Sequence, residues 1–211
     1  QSLLEQAEAT FDNVIVLINS GNAMELGFLN DEGVDAALWI GDPGDVGTIG
    51  IVNILTGAVN PSGRLPDIYP YAVETTPSYY NFDTFEYTNS KDCFKNFESH
   101  PAYLVEYQEG IYVGYRYFDA FSIHPRFPFG FGLSYTTFSM GRKAVLVDGS
   151  KVTVDVSVEN TGKYAGREVV QLYLQKPQMV QGVEEKSLAA FAKTGCLQPG
   201  ETELVTTTFD V

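Results

Sequence analysis

Lys151-Val152-Thr153-Val154-Asp155-Val156-Ser157-Val158-Glu159 alternates without a fault, and the four valines fall on one side. Period two over that length is a half-buried strand of an antiparallel sheet. Downstream, Asn160-Thr161-Gly162 reads as a turn and Glu168 to Leu174 as the next strand, ended by Pro177. Leu188 to Lys193 and Glu203 to Phe209 supply two more, separated by Gln198-Pro199-Gly200-Glu201. Short strands at this spacing predict a β-sandwich of immunoglobulin or fibronectin type, which needs about seven strands. At most five can be placed from Thr136 onward, so the sandwich is expected to be incomplete at its C-terminal end.

Upstream the pattern changes. Asn13-Val14-Ile15-Val16-Leu17-Ile18-Asn19 carries a continuous apolar run, and Val34-Asp35-Ala36-Ala37-Leu38-Trp39-Ile40 reads as a second such strand. Strands covered on both faces, as in a parallel sheet, read that way. Leu3, Leu4 and Ala7 make a helical stripe, Ala23 to Asn30 reads as one short helix, and Gly41-Asp42-Pro43-Gly44 opens another that stops at Gly57. After the turn Asn60-Pro61-Ser62-Gly63, Arg64-Leu65-Pro66 forms an extended exit. The order β-α-β-α-β fits half of an open α/β sandwich. The expected division is 1–75, a partial α/β domain; 76–134, an aromatic-rich excursion and connector; and 135–211, the β-sandwich, with 105–211 read as all-β. The fold class is α/β plus all-β.

Charge and composition remove several functions. Lys plus Arg is 13 against 27 acids, a formal net charge of −14 over 211 residues. Nucleic acid and anionic membranes need a basic face, so neither is an expected partner. No apolar run reaches the length of a bilayer span. The start, Gln1-Ser2-Leu3-Leu4-Glu5, has neither Met nor the outline of a secretory signal, which suggests a piece of a longer chain; the compartment stays open. Cys93 and Cys196, without a CxxC, read as two reduced thiols. With only His100 and His124 for imidazole, no metal site and no cofactor are expected.

The residues bear on four chemistries. Gly41, Gly44, Gly47 and Gly50 follow a strand, but neither a dinucleotide nor a P-loop spacing is present, and Asp42 and Asp45 would repel a phosphate. Glycines three apart are read instead as a helix face packed closely on the sheet. Gly132-Leu133-Ser134-Tyr135-Thr136 lacks the second glycine of a nucleophile elbow. Glycoside cleavage needs two carboxyl groups about 5–9 Å apart. Glu25, Asp31, Glu32, Asp42 and Asp45 lie near strand C-termini, where open α/β sheets place their sites, yet each reads first as a solvated or capping group. Most of the 14 Phe and 13 Tyr lie between Tyr79 and Phe138, a density suited to sugar stacking and better suited to packing between domains. Arg64 is expected to be a buried or half-buried cation paired with a carboxylate. Gly130 and Gly132 are expected to pass under the rings of Phe129 and Phe131, and Tyr115, Arg116, Tyr117 and Asp119 to clamp two domains by stacking and a bidentate pair.

Several strings together resemble glycoside hydrolase family 3, the β-glucosidase and β-xylosidase family. Asn13 to Gly21, Ala37 to Gly44 and Asn60-Pro61-Ser62-Gly63-Arg64-Leu65-Pro66 resemble its α/β-sandwich domain. Glu109 to Asp119 resembles the segment leading onward, and Phe127-Pro128-Phe129-Gly130-Phe131-Gly132-Leu133-Ser134-Tyr135-Thr136-Thr137-Phe138 is nearly diagnostic. Asn160-Thr161-Gly162, Ala165-Gly166, Glu168 to Tyr173 and Pro199 to Thr202 resemble its fibronectin-III-like domain. The stretch before Glu109 is similar to members whose barrel comes last. The resemblance implies a retaining, exo-acting hydrolase of β-linked oligosaccharides or glycosides, with an Asp nucleophile in a TIM barrel. It also implies a Glu acid/base in a stretch before the helix that leads into the Asn13 strand. On that alignment neither carboxylate falls within this chain, so no catalytic and no substrate-binding residue is assigned. The loops after Ile18 and Ile40 are expected to wall the active site of the parent, and the isolated chain is expected to be inactive. The alternative is a non-catalytic carbohydrate-binding or adhesion module on the same scaffold.

Overall fold

A computed structural model describes residues 2–30, 32–81, 85–86, 103–104, 106–175 and 185–211. Helix α1 (Leu3–Glu8) begins at a capping box: the Ser2 hydroxyl accepts from the Glu5 amide while the Glu5 carboxylate accepts from the Ser2 amide. Two strands follow, β1 (Ile15–Ile18) and β2 (Ala36–Trp39), paired in parallel with Ile15 opposite Ala36 and Ile18 opposite Trp39. The Asp35 carboxylate accepts from the Val14 amide at 2.8 Å, which holds the entry to both strands.

Here four expectations are corrected. β1 is covered on one face only: Val14 and Ile18 are buried, whereas Ile15 and Leu17 are 50% and 42% exposed. The Ala23 to Asn30 segment forms only a 3-10 turn at Gly27–Asn30. The second helix does not open at Gly41. It is α2 (Thr48–Leu55), with Gly47 at its N-cap. Gly41 and Gly44 both take φ +58°, and the Gly47 amide donates to the Pro43 carbonyl at 3.0 Å, so residues 44–47 form a turn and 41–43 are irregular. A Cβ at Gly50, inside α2, would meet nothing among the described residues, so Gly50 marks no close helix packing, while Gly41 and Gly44 serve backbone turning. Gly57 at φ +75° ends the helix region as expected.

The extended exit does not become a third strand of the parallel sheet. It pairs with the Phe-Gly string instead. The Leu65 amide donates to the Phe131 carbonyl (2.8 Å), the Gly130 amide to Leu65 (2.8 Å) and the Tyr69 amide to Phe127 (2.9 Å). Within 76–134 the described residues include a short antiparallel pair, β3 (Phe85–Glu86) with β4 (Tyr103–Leu104). Helix α3 (Tyr115–Ala120) interrupts a region read as all-β.

The sandwich follows the valine alternation. Strands β5 (Phe138–Asp148), β6 (Lys151–Asn160) and β9 (Thr202–Asp210) form one antiparallel sheet with β6 in the middle; β7 (Val169–Gln175) and β8 (Lys186–Lys193) form the other. Val154, Val156 and Val158 meet Val170, Leu197 and Val205 between them. Val158 is completely buried, an apolar gain of about 2 kcal/mol. A bulge between Arg142 and Ala144 shifts the register of β5 by one. It keeps Met140, opposite Val158, and Val145, opposite Val154, on one face of β5, where an unbroken strand would put them on opposite faces; both stay about half exposed, at 49% and 50%. Gly149 at φ +61° supplies the first position of the two-residue β5–β6 turn.

One polar residue sits in this core. Asn160 is fully buried, its carbonyl oxygen accepting from the Thr136 hydroxyl (2.8 Å) and the Gly162 amide (3.1 Å), its NH2 donating to the carbonyls of Tyr164 and Leu197, both at 2.8 Å. A buried amide with all its partners ties the β6 end, the next turn and the β9 approach into one geometry. Asn160→Ala is expected to cost about 2–4 kcal/mol, because four groups lose their partner in a dry site; urea melts of the two chains measure it, and a loss under about 0.5 kcal/mol would contradict the network's role. Ile15 and Leu17 on β1, and Ile49 and Val52 on α2 at 66% and 55% exposure, are apolar side chains open to solvent, and the β1–β2 pair gains no further strand among the described residues. The isolated chain should therefore self-associate; a monodisperse monomer by light scattering would contradict this.

Candidate functional site

At the C-terminal edge of the parallel pair two loops are held together by one indole. Trp39 Nε1 donates to the Ser20 carbonyl at 2.8 Å, and the Ser20 hydroxyl donates to the Asn22 carbonyl at 2.8 Å. Gly41 passes beneath the indole; a Cβ there would stand 3.3 Å from the ring. Under these loops Ile18, Leu26 and Tyr69 form a small core, with Val16, Trp39, Leu65 and Phe127 packed against it. Burial, then the charge of Asp67, raises the Tyr69 phenol pKa above its usual range, so it stays neutral. Arg126 closes the rim: its Nη2 donates to Asn30 Oδ1 at 2.9 Å and its guanidinium lies over Tyr71 and Phe127.

The structure describes four of the five carboxylates singled out near these strand ends. Glu25 accepts from the Val73 amide (2.8 Å), a loop-capping role, while Glu32, Asp42 and Asp45 are exposed. Asp31 lies outside the described residues, as do Cys93 and His100. Cys196 is a free, exposed thiol and His124 is exposed.

The second feature is the contact between the two halves. Asn60 Nδ2 donates to the Ala165 carbonyl (3.0 Å), while its Oδ1 accepts from the Ser134 hydroxyl (2.9 Å) and the Tyr135 amide (2.8 Å). Four residues on, Arg64 Nη2 forms a charged hydrogen bond with Glu168 Oε1, side chains only 13% and 11% exposed. Glu168 Oε1 also accepts from the Val169 amide (2.6 Å), and its backbone amide donates to the Thr194 hydroxyl (3.0 Å). The expected pairing of Arg64 with a carboxylate is thus present. Its partner went unnamed in the sequence because 104 residues separate the two and Glu168 reads only as the start of a strand.

The expectation for Gly130 and Gly132 is corrected. A Cβ at Gly130 would strike the Gln171 side chain, and one at Gly132 would strike the Gly63 carbonyl and Arg64. They make room for the sandwich and for the Arg64 segment, not for aromatic rings. The clamp expected at 115–119 is present in part. Tyr115 packs on Phe129 (5.2 Å between ring centres) and edge-on to Tyr173 (5.9 Å), and its hydroxyl accepts from the Leu188 amide at 2.8 Å. Asp119 pairs with Lys186 at 3.1 Å. Arg116 makes no bidentate pair among the described residues and lies over Tyr115, while Tyr117 packs within its own segment on Phe118 and Phe121. A cleft of about 420 Å³ remains between α3, Phe129, β7 and β8. Its polar groups are largely engaged with one another, Tyr173 with Gln171 and Asp119 with Lys186, which makes it a packing seam.

Removing one partner of the Arg64–Glu168 pair strands a buried charge. Arg64→Ala should lose about 3 kcal/mol, and the double change Arg64→Met with Glu168→Leu should recover most of it, since an apolar pair leaves nothing unpaired. Equal losses for the single and double variants in denaturant melts would contradict this reading.

The chain matches the Glycosyl hydrolase family 3 C-terminal domain over residues 1–115 and the Fibronectin type III-like domain over 168–211. It is 35% identical to a beta-glucosidase of Ruminococcus albus, covering 98% of this chain and 20% of that protein, and 38% identical to Beta-glucosidase B of Emericella nidulans, covering 99% and 24%. Among solved structures it resembles beta-glucosidase 3B from Thermotoga neapolitana in complex with glycerol, with a TM-score of 0.82 at 35% identity over 99% of this chain and 27% of that one. A beta-glucosidase from Paenibacillus barengoltzii gives 0.84 at 36% identity, over 98% and 22%. The chain therefore spans about a quarter of the length of the relatives it matches. A capped α/β unit joined through Asn60 and Arg64 to a fibronectin-III-like sandwich, matched over more than half its length by that family, places this chain in glycosyl hydrolase family 3.

Proposed function

We propose that this chain is the bracing and wall-forming part of a retaining, exo-acting β-glycosidase of β-glucosidase or β-xylosidase type. In this reading a terminal β-linked sugar is cleaved by double displacement, with the nucleophilic carboxylate on a barrel and the acid/base carboxylate in residues outside this chain. Residues 1–75 form part of the α/β domain, 76–134 the connector and 135–211 the sandwich. The barrel is the intramolecular partner and a β-linked oligosaccharide or glycoside the substrate.

The observation that carries this reading is the pair of loops at the C-terminal ends of β1 and β2, tied by Trp39 Nε1 to Ser20. Open α/β sheets present their sites on that edge. Among the described residues the two loops supply backbone turns and an indole there. That is the composition of a wall, whose task is to exclude water and hold the sugar ring in place while acids from elsewhere react.

The test uses the parent polypeptide and the 211-residue chain side by side, with aryl β-glucoside and aryl β-xyloside. The parent is expected to turn over at least one of them, and the isolated chain neither. A parent that binds glucan or xylan without hydrolysing any β-glycoside would replace this reading with the carbohydrate-binding one.

A further inference from the structure

The sandwich and the loop after β1 are joined by one continuous run of contacts. Glu168, at the start of β7, holds Arg64, and Asn60 is anchored to Ala165 and Ser134. From Arg64 the chain is clipped to the Phe127–Phe131 string by backbone bonds at Leu65, Gly130 and Tyr69. Tyr69, 2% exposed, ends the run inside the core of Ile18 and Leu26, against which Trp39 packs. Trp39 in turn holds the Ser20 carbonyl. The segment from Asn60 to Pro70 thus touches the sandwich at one end and the underside of the β1 and β2 loops at the other.

We propose that this segment acts as a strut through which the β-sandwich sets the conformation of the loop after β1, with Arg64 and Glu168 as its positioning residues. Neither residue touches the loop; each acts through Tyr69. The physical requirement is a rigid connection with a single arrangement. Three features supply it: a buried ion pair, whose planar guanidinium limits rotation, a backbone ladder, and a large ring locked in an apolar core. For the glycosidase this means that the sandwich holds the wall against the sugar, a consequence that rests on the function proposed above.

Trp39 is the chain's single tryptophan and reports on the loop directly. Glu168→Gln in the 211-residue chain is expected to red-shift Trp39 emission and raise its quenching by acrylamide about twofold, with amide exchange over Ile18–Leu26 faster by roughly tenfold. Arg64→Lys, which keeps the charge but loses the fork, should give a smaller change in the same direction. Asp155→Asn removes a carboxylate that accepts from the Thr206 hydroxyl (2.6 Å) between β6 and β9, away from the strut, and should leave Trp39 unchanged. Unaltered Trp39 emission and exchange in folded Glu168→Gln or Arg64→Lys, or an equal change in Asp155→Asn, would overturn the strut. In the parent, Glu168→Gln should raise KM several-fold with kcat and the pH profile little altered; an unchanged KM would overturn its link to the wall. A parent with no glycosidase activity sinks the proposed function alone, because the Trp39 measurements do not depend on it.

Discussion

A guanidinium and a carboxylate from opposite halves of the chain meet in a nearly closed interface, and their spacing sets how the α/β unit sits on the sandwich. Taking both charges out of water carries a large penalty, repaid only when each has further partners. Glu168 has the Val169 amide as well as Arg64, and Arg64 has the Gly63 carbonyl at 3.1 Å. The pair therefore works less as a source of net stability than as a selector: one docking angle satisfies both ions, and a slipped one leaves them bare.

Other features of the seam follow from that docking. Gly166 lies so close to Asn60 that a Cβ would come within 2.7 Å of its amide nitrogen. Gly132 lies against the Gly63 carbonyl and Arg64, and Gly130 against Gln171. Backbone can approach at these points only where no side chain intervenes. Around them the aromatic residues fill the remaining volume, and the Asp119–Lys186 pair closes the rim. The Asn160 network keeps the facing end of the sandwich in shape by giving every polar group of a buried amide a partner.

Much of the architecture was legible from residue order. The valine alternation of 151–159 became β6, with its apolar side inward, and the turns at Gly149 and Gly200 take the positive φ that glycine permits. The apolar runs became β1 and β2 in parallel. Where local reading failed, tertiary context had overridden it. Arg64-Leu65-Pro66 is extended, as read, yet pairs with Phe131 and Gly130 rather than with the sheet, because backbone donors take the partner that packing brings near. The glycine series after β2 looked helical by spacing, but positive φ at Gly41 and Gly44 breaks any helix there.

The sequence by itself determined the element types, the two-part division into α/β and β-sandwich portions, and the membership in a sugar-hydrolase family carried by strings such as Asn60-Pro61-Ser62-Gly63-Arg64-Leu65-Pro66. These follow from local periodicity, turn chemistry and motif order, all of which are written along the chain. Only the tertiary structure decided that Arg64 meets Glu168, that Tyr69 reaches beneath the β1 loop and that Trp39 holds Ser20. The Arg64–Glu168 partnership is a matter of distance in space between groups 104 residues apart, and no one-dimensional pattern specifies which of 27 acids a buried arginine will choose.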